Sequence, residues 1–227
     1  MKSLNDICFI IQARLDSKRL PGKMLLPFAG STLFDIAVDK LINSEVVPNS
    51  NIFLSLYDEE LIKQGSKYPV NIFYRTAHSV TEAKTPREVS EWGWKLDYKY
   101  FITLNACAPL LSIGTIENFV KHFIESPYKS LFSVHQTKNF YWNEDKEMIT
   151  PYPGSLDTKL VNTTYSGAHV LYAGSMEDMS NNVYLGDFTE NYPELFTVEE
   201  KETFDVDFEW QFKVAEILYN NRNKFLG

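Results

Sequence analysis

The sequence predicts an α/β protein with a mostly parallel central sheet and helices on both faces. Short apolar runs alternate with longer amphipathic stretches through residue 135, the rhythm of strand and helix in turn. Hydrophobic residues at 44% and charged residues at 23% are ordinary globular values. A chain of 227 residues also buries a sizeable core without disulfides or metals, so one domain spanning 1–227 is expected.

The elements follow in order. ICFII (7–11) is the first strand, and LFDIAVDKLI (33–42) places Leu33, Ile36, Ala37 and Leu41 at helical spacing. NIFLSL (51–56) is the second strand, with a short helix over 58–66, and VNIFY (70–74) is the third. TPREVSEWGWKL (85–96) reads as one helix, with Thr85 as N-cap and Pro86 in the first turn. YFITL (100–104), a helix around 113–125 and SLFSV (130–134) complete the alternation. Beyond 135 the segments are short, polar and aromatic, with prolines at 151, 153 and 193. Antiparallel pieces around 139–151 and 161–172 predict a small β-rich lobe at about 138–190, suited to dimerisation or substrate binding, with one short helix near 175–181. A closing helix over 208–222 carries Phe208, Phe212, Ala215 and Leu218 as one apolar stripe.

Composition excludes several classes. There is no apolar run of membrane-spanning length. The N-terminal apolar run leads straight into Gln12 and Arg14, so it reads as a strand, not a signal peptide, and a cytoplasmic protein is expected. A net charge of −8 argues against nucleic-acid binding. Cys8 and Cys107 read as reduced thiols, and the four histidines show no zinc-ligand spacing. His169 reads as a core histidine on a strand, and Trp92, Trp94, Tyr141 and Trp142 as packing or interface aromatics.

The most informative segment is IIQARLDSKRLPGKML (10–25). Arg14, Lys18, Arg19 and Lys23 crowd four cations into ten residues of an acidic chain. The loop directly follows the first strand, and open α/β sheets bind ligands at the carboxyl ends of their strands. A polyphosphate or another dense anion fits that charge. The loop is neither a GxGxxG fingerprint nor a Walker A, so side-chain charge and backbone N–H groups would do the holding. The alternative is a solvated basic loop, and charge density alone leaves the two even.

The run Ala13-Arg14-x-x-Ser17-Lys18-Arg19-x-x-x-Lys23 resembles the N-terminal signature of the CMP-sugar synthetases: the acylneuraminate and Kdo cytidylyltransferases and the spore-coat polysaccharide cytidylyltransferase group. TLNACAPLL (103–111), YSGAHVLY (165–172) and FDVDFEWQFKVAEIL (204–218) resemble further family segments in the same order, across nearly the whole chain. The resemblance implies a Rossmann-like nucleotide-diphosphosugar transferase fold. It also implies transfer of CMP from CTP to a hydroxyl of a sugar or sugar-acid acceptor, with release of pyrophosphate, for surface polysaccharide synthesis. Carried over, Arg14 and Lys23 would hold the phosphates, Ser17 would add a hydroxyl, the backbone at Ala13 would face the base, and Lys18 and Arg75 would meet the nucleotide. Asn105 lies between nucleotide and acceptor, and Tyr165 and Lys159 fall to the acceptor. The family commonly dimerises through a β-rich insertion, which implies a homodimer.

Asp205 and Asp207 are two residues apart, so in extended chain both point to one side. Two hard carboxylates near a triphosphate suit Mg²⁺, and the matching family aspartates bind the metal; the competing role for Asp207 is helix N-cap. Arg14, Lys23 and Asp207 are the candidate catalytic residues. Departures from the family pattern concentrate on the acceptor side. Asn105 stands for a glutamine, Leu111 for an arginine, and 155–159 carries no arginine, which points away from a standard sialic acid or Kdo. Two other readings remain open: a glycosyltransferase using Asp205-Val206-Asp207 as an Asp-x-Asp motif, and a non-catalytic nucleotide-binding homologue.

Overall fold

The computed structural model describes residues 2–185 and 192–225. The elements are β1 (Ile7–Gln12), α1 (Leu33–Ile42), β2 (Ile52–Leu56), α2 (Glu59–Gly65), β3 (Asn71–Tyr74), α3 (Ala77–Thr81), α4 (Pro86–Val89) and α5 (Trp92–Lys95). They continue with β4 (Tyr100–Leu104), α6 (Ile113–Glu125), β5 (Leu131–Thr137), β6 (Thr164–Ser175), α7 (Met176–Ser180), β7 (Glu194–Thr197), α8 (Glu209–Asn220) and α9 (Arg222–Phe225). One seven-stranded sheet runs in the order β3-β2-β1-β4-β6-β5-β7. All pairings are parallel except those of β6, which runs antiparallel to both β4 and β5.

β1 shows why the sheet is covered on both faces. Ile7, Phe9 and Ile11 join the large core with α1 and α6, while Cys8 and Ile10 point the other way into a cluster with Trp92, Phe101, Met176 and Met179. The same period of two puts Gln12 on the Trp92 side. Strand order reverses at β1, with β2 on one side and β4 on the other, so a crevice opens where the chain leaves the C-terminal ends of β1 and β4.

Several expectations are corrected. The stretch 85–96 is two short helices. Thr85 does cap the first with a full capping box, but the buried Glu91 carboxylate accepts hydrogen bonds from Thr76 N (2.8 Å) and Oγ1 (3.1 Å), and the chain turns there. The strand expected around 161–172 is β6, a member of the central sheet and not of a separate lobe. Residues 138–163 hold only an isolated Trp142–Met148 bridge and one 3₁₀ turn, and 186–190 of the expected lobe lie outside the described residues. The short edge strand β7 was not foreseen. The N-cap of α8 is Phe208, half exposed and outside the apolar stripe. Gln211 Oε1 accepts from the N–H groups of Asp207 (2.7 Å) and Phe208 (2.8 Å), leaving the Asp207 carboxylate for other partners. Among the described residues no helix is long and apolar enough to cross a membrane.

Candidate active site

The basic loop owes its shape to Leu20-Pro21-Gly22-Lys23. Lys23 N donates to Leu20 O at 3.3 Å, and Gly22 sits at φ 68°, the left-handed position that glycine adopts without strain after a proline. The Leu15 N–H is pinned by Asp58 Oδ2 at 3.0 Å. The turn sends Lys23 inward, where its buried ammonium donates to Val206 O (2.7 Å) and Asp207 Oδ1 (3.1 Å). Arg19 reaches the same carboxylate oxygen at 2.8 Å. Ala13, Arg14, Ser17, Lys18 and Lys23 line one cavity of about 350 Å³, closed on one side by Cys107.

Arg75 lines an adjoining cavity together with Ala13 and Arg14. Its guanidinium is buried and, among the described residues, donates only to neutral oxygens: Ser79 Oγ (3.2 Å), Ser79 O (2.7 Å) and Val89 O (3.2 Å). Arg14 likewise spends one donor on Val80 O at 3.2 Å. Burial and then the nearby Arg14 charge push Arg75 down to about 10, so it still carries its charge at neutral pH. Neither arginine makes an ion pair among the described residues. Glu91 and Asp58 offset part of this charge from a distance, but two neighbouring cations with no carboxylate in direct contact still favour an anion.

The acidic segment meets the wall of the cationic cavity through the contacts of Asp207 with Lys23 and Arg19. The Val206 N–H donates to Cys107 O at 2.9 Å, tying 205–207 to the loop after β4. Asn105 Nδ2 donates to both Asp205 Oδ1 (3.3 Å) and His169 O (2.9 Å), while its Oδ1 accepts from Cys107 N (2.9 Å). Burial, then the neighbouring Asp207 charge, raises the Asp205 carboxyl above its ordinary range. A half-buried carboxylate under that double penalty gains from a hard cation, so Asp205 and Asp207 fit Mg²⁺, which takes few protein ligands and completes its shell with phosphate and water. Burial pushes the Cys107 thiol up to about 11, so it remains a protonated wall group and not a nucleophile.

Asn105 borders a third cavity with Gln12, Thr103, Tyr172 and Tyr184, whose cation is Lys84. Both of its amide hydrogens are engaged internally, so Asn105 is a brace for the site more than an open donor. The two expected acceptor residues are not brought here. Tyr165 is exposed and pairs with Gln136, four residues along β5 from the level of Tyr172, or about 13 Å. Lys159 lies exposed on the 3₁₀ turn of 138–163.

His169 is not a core residue. Register slips between Phe132 and Val134, and the resulting bulge in β6 puts His169 at φ 55° with its ring exposed and Nδ1 2.7 Å from Tyr172 Oη. Sequence reasoning also missed Gln12, Cys107 and the Arg19–Asp207 pair. The one available signal was that Gln12 ends an otherwise apolar strand.

The cytidylyltransferase family model matches residues 8–214, and the chain belongs to that family. It is therefore a nucleotidyltransferase, and the glycosyltransferase reading falls. The pseudaminic acid cytidylyltransferase of Campylobacter jejuni is 25% identical over 95% of this chain and 97% of its own length. The spore coat polysaccharide biosynthesis protein SpsF of Bacillus subtilis is 42% identical, over 27% of this chain and 30% of its own. Among solved structures, CMP:2-keto-3-deoxy-manno-octonic acid synthetase complexed with CTP superposes with a TM-score of 0.73 at 14% identity, covering 96% of this chain and 99% of that one.

Proposed function

We propose that this protein transfers CMP from CTP to a hydroxyl of a sugar-acid acceptor, releasing pyrophosphate, as a step in surface polysaccharide synthesis. The observation that carries the reading is the group of cations, Arg14, Lys18 and Arg75, gathered at the C-terminal end of β1 with no direct ion pair to a carboxylate among the described residues. The full-length similarity to a sugar-acid cytidylyltransferase supports the acceptor class. Arg14 and Lys23 meet the charge of the leaving pyrophosphate, and Asp205 and Asp207 would hold Mg²⁺, which when bound neutralises charge on the phosphates. CTP as donor puts the reaction in the cytoplasm. The exposed apolar side chains of 142–165, among them Trp142, Ile149, Leu156 and Leu160, support a homodimer that buries them.

The test is thermal stabilisation by CTP, UTP, ATP, GTP and CDP in the presence of Mg²⁺, followed by pyrophosphate release with a panel of sugar acids. A ligand that binds only the folded state at a hundredfold its Kd adds about 2.7 kcal/mol. Selective stabilisation by CTP and acceptor-dependent pyrophosphate release are expected. Equal response to all nucleotides, or stabilisation without any turnover, would favour a non-catalytic nucleotide-binding homologue.

A further inference from the structure

Gln12 lines all three cavities of the site: the cationic one with Lys18 and Lys23, the one under Arg75, and the one bordered by Asn105 and Tyr172. Its side chain is oriented by a contact that leaves no ambiguity. Trp92 Nε1 lies 3.1 Å from the Gln12 carboxamide, and an indole N–H can only donate, so the atom it meets is Oε1. Trp92 is itself 1% exposed and locked in the cluster with Phe101 and Met179, so the amide cannot turn over cheaply. The Gln12 NH₂ is therefore held away from Trp92, and among the described residues it has no hydrogen-bond partner.

In the proposed reaction the acceptor hydroxyl oxygen forms a bond to the α-phosphorus while the bond from that phosphorus to the α–β bridging oxygen breaks. Pyrophosphate leaves with the electron pair, and the hydroxyl proton passes to water. The α-phosphorus is the one atom joined to nucleoside, pyrophosphate and acceptor together during transfer. With one part in each cavity, the three would meet at that atom, and Gln12 is, among the described residues, the one that lines all three. We infer that Gln12 is a catalytic residue whose Nε2 hydrogens donate to a non-bridging oxygen of the α-phosphate, with Trp92 as the positioning residue that presets the donor. This inference rests on the cytidylyl-transfer reading above. A fixed, neutral donor aimed where charge builds up stabilises the transition state without reorganisation. It also adds no further positive charge to a site that already holds Arg14, Lys18 and Arg75.

The experiment pairs NMR of the Gln12 side-chain amide, assigned by its disappearance in Gln12→Met, with kinetics. Adding CMP or CTP shifts this signal, whereas cytidine or pyrophosphate alone leaves it in place. Gln12→Met lowers kcat by about a hundredfold, with the Kd for CTP changed less than threefold. Trp92→Phe, which keeps an aromatic ring but deletes the indole donor, moves the free amide signal and lowers kcat by a smaller factor at unchanged Kd. A Gln12 signal silent to CMP in a protein that binds CTP, or full kcat in Gln12→Met, overturns the inference alone. A wild-type protein that binds no nucleotide overturns the functional reading beneath it as well.

Discussion

Lys40 shows how far a single side chain can be removed from the chemistry and still bear on the site. Its ammonium, on the last turn of α1, donates to Ala108 O at 2.9 Å and Pro109 O at 2.7 Å, in the loop that also carries Asn105 and Cys107. Burial pushes it down to about 7 from an ordinary 10.5, with Glu202 pulling back. Between those values the unfolded chain holds a proton that the folded chain does not, so stability rises with pH across that window, approaching about 1.4 kcal/mol per pH unit. Urea midpoints of the wild type should therefore climb between pH 7 and pH 9.5 relative to Lys40→Met, and the two should run parallel below pH 6; parallel curves throughout would show that Lys40 titrates normally. At this scale the sequence was legible where charge was dense. Arg14, Ser17, Lys18 and Lys23 do come together. Lys40, Gln12 and His169 were illegible because their roles come from burial, from a partner 80 residues away and from a bulge, none of which leaves a mark in local spacing.

The strand and helix rhythm of residues 1–135 translated almost directly into elements because β1, β2 and β4 are largely buried on both faces and so read as near-continuous apolar runs, broken only by Gln12, Ser55 and Thr103. The helix over 85–96 was misread because Thr85 and Pro86 advertise a start, while the break at Ser90 is imposed by the distant Thr76 claiming Glu91. That break leaves α5 packed on α7 with Gly93 against Met179, where an added Cβ would collide with the methionine Cγ. Gly93→Ala should cost about 1–3 kcal/mol of folding stability by forcing α5 off α7. Chemical denaturation measures it, and a cost below 0.5 kcal/mol, roughly the level of a neutral surface change, would mean that Met179 swings clear.

For the molecule as a whole, the fold class was legible from alternation alone, whereas the route of residues 138–163 was not, because a segment that buries little has no period to read. Its exposed Leu156, Leu160 and Ile149 argue for a covered surface. The protein should have dimeric mass at micromolar concentration in sedimentation, and Leu156→Asp should shift it toward monomer; a wild-type monomer would refute the covering. One further property follows from the contacts of Asp207, which engages Lys23 and Arg19 before any substrate arrives. The free protein stores its two cations and its carboxylate as mutual counter-ions. A triphosphate that draws the cations away unmasks the carboxylate, and a divalent ion that takes the carboxylate releases the cations. Each guest thus pays part of the other's entry cost, and the coupling must be equal in both directions. With Asp207 holding the proposed Mg²⁺, this corner of the site would therefore favour metal and nucleotide arriving together over either one alone.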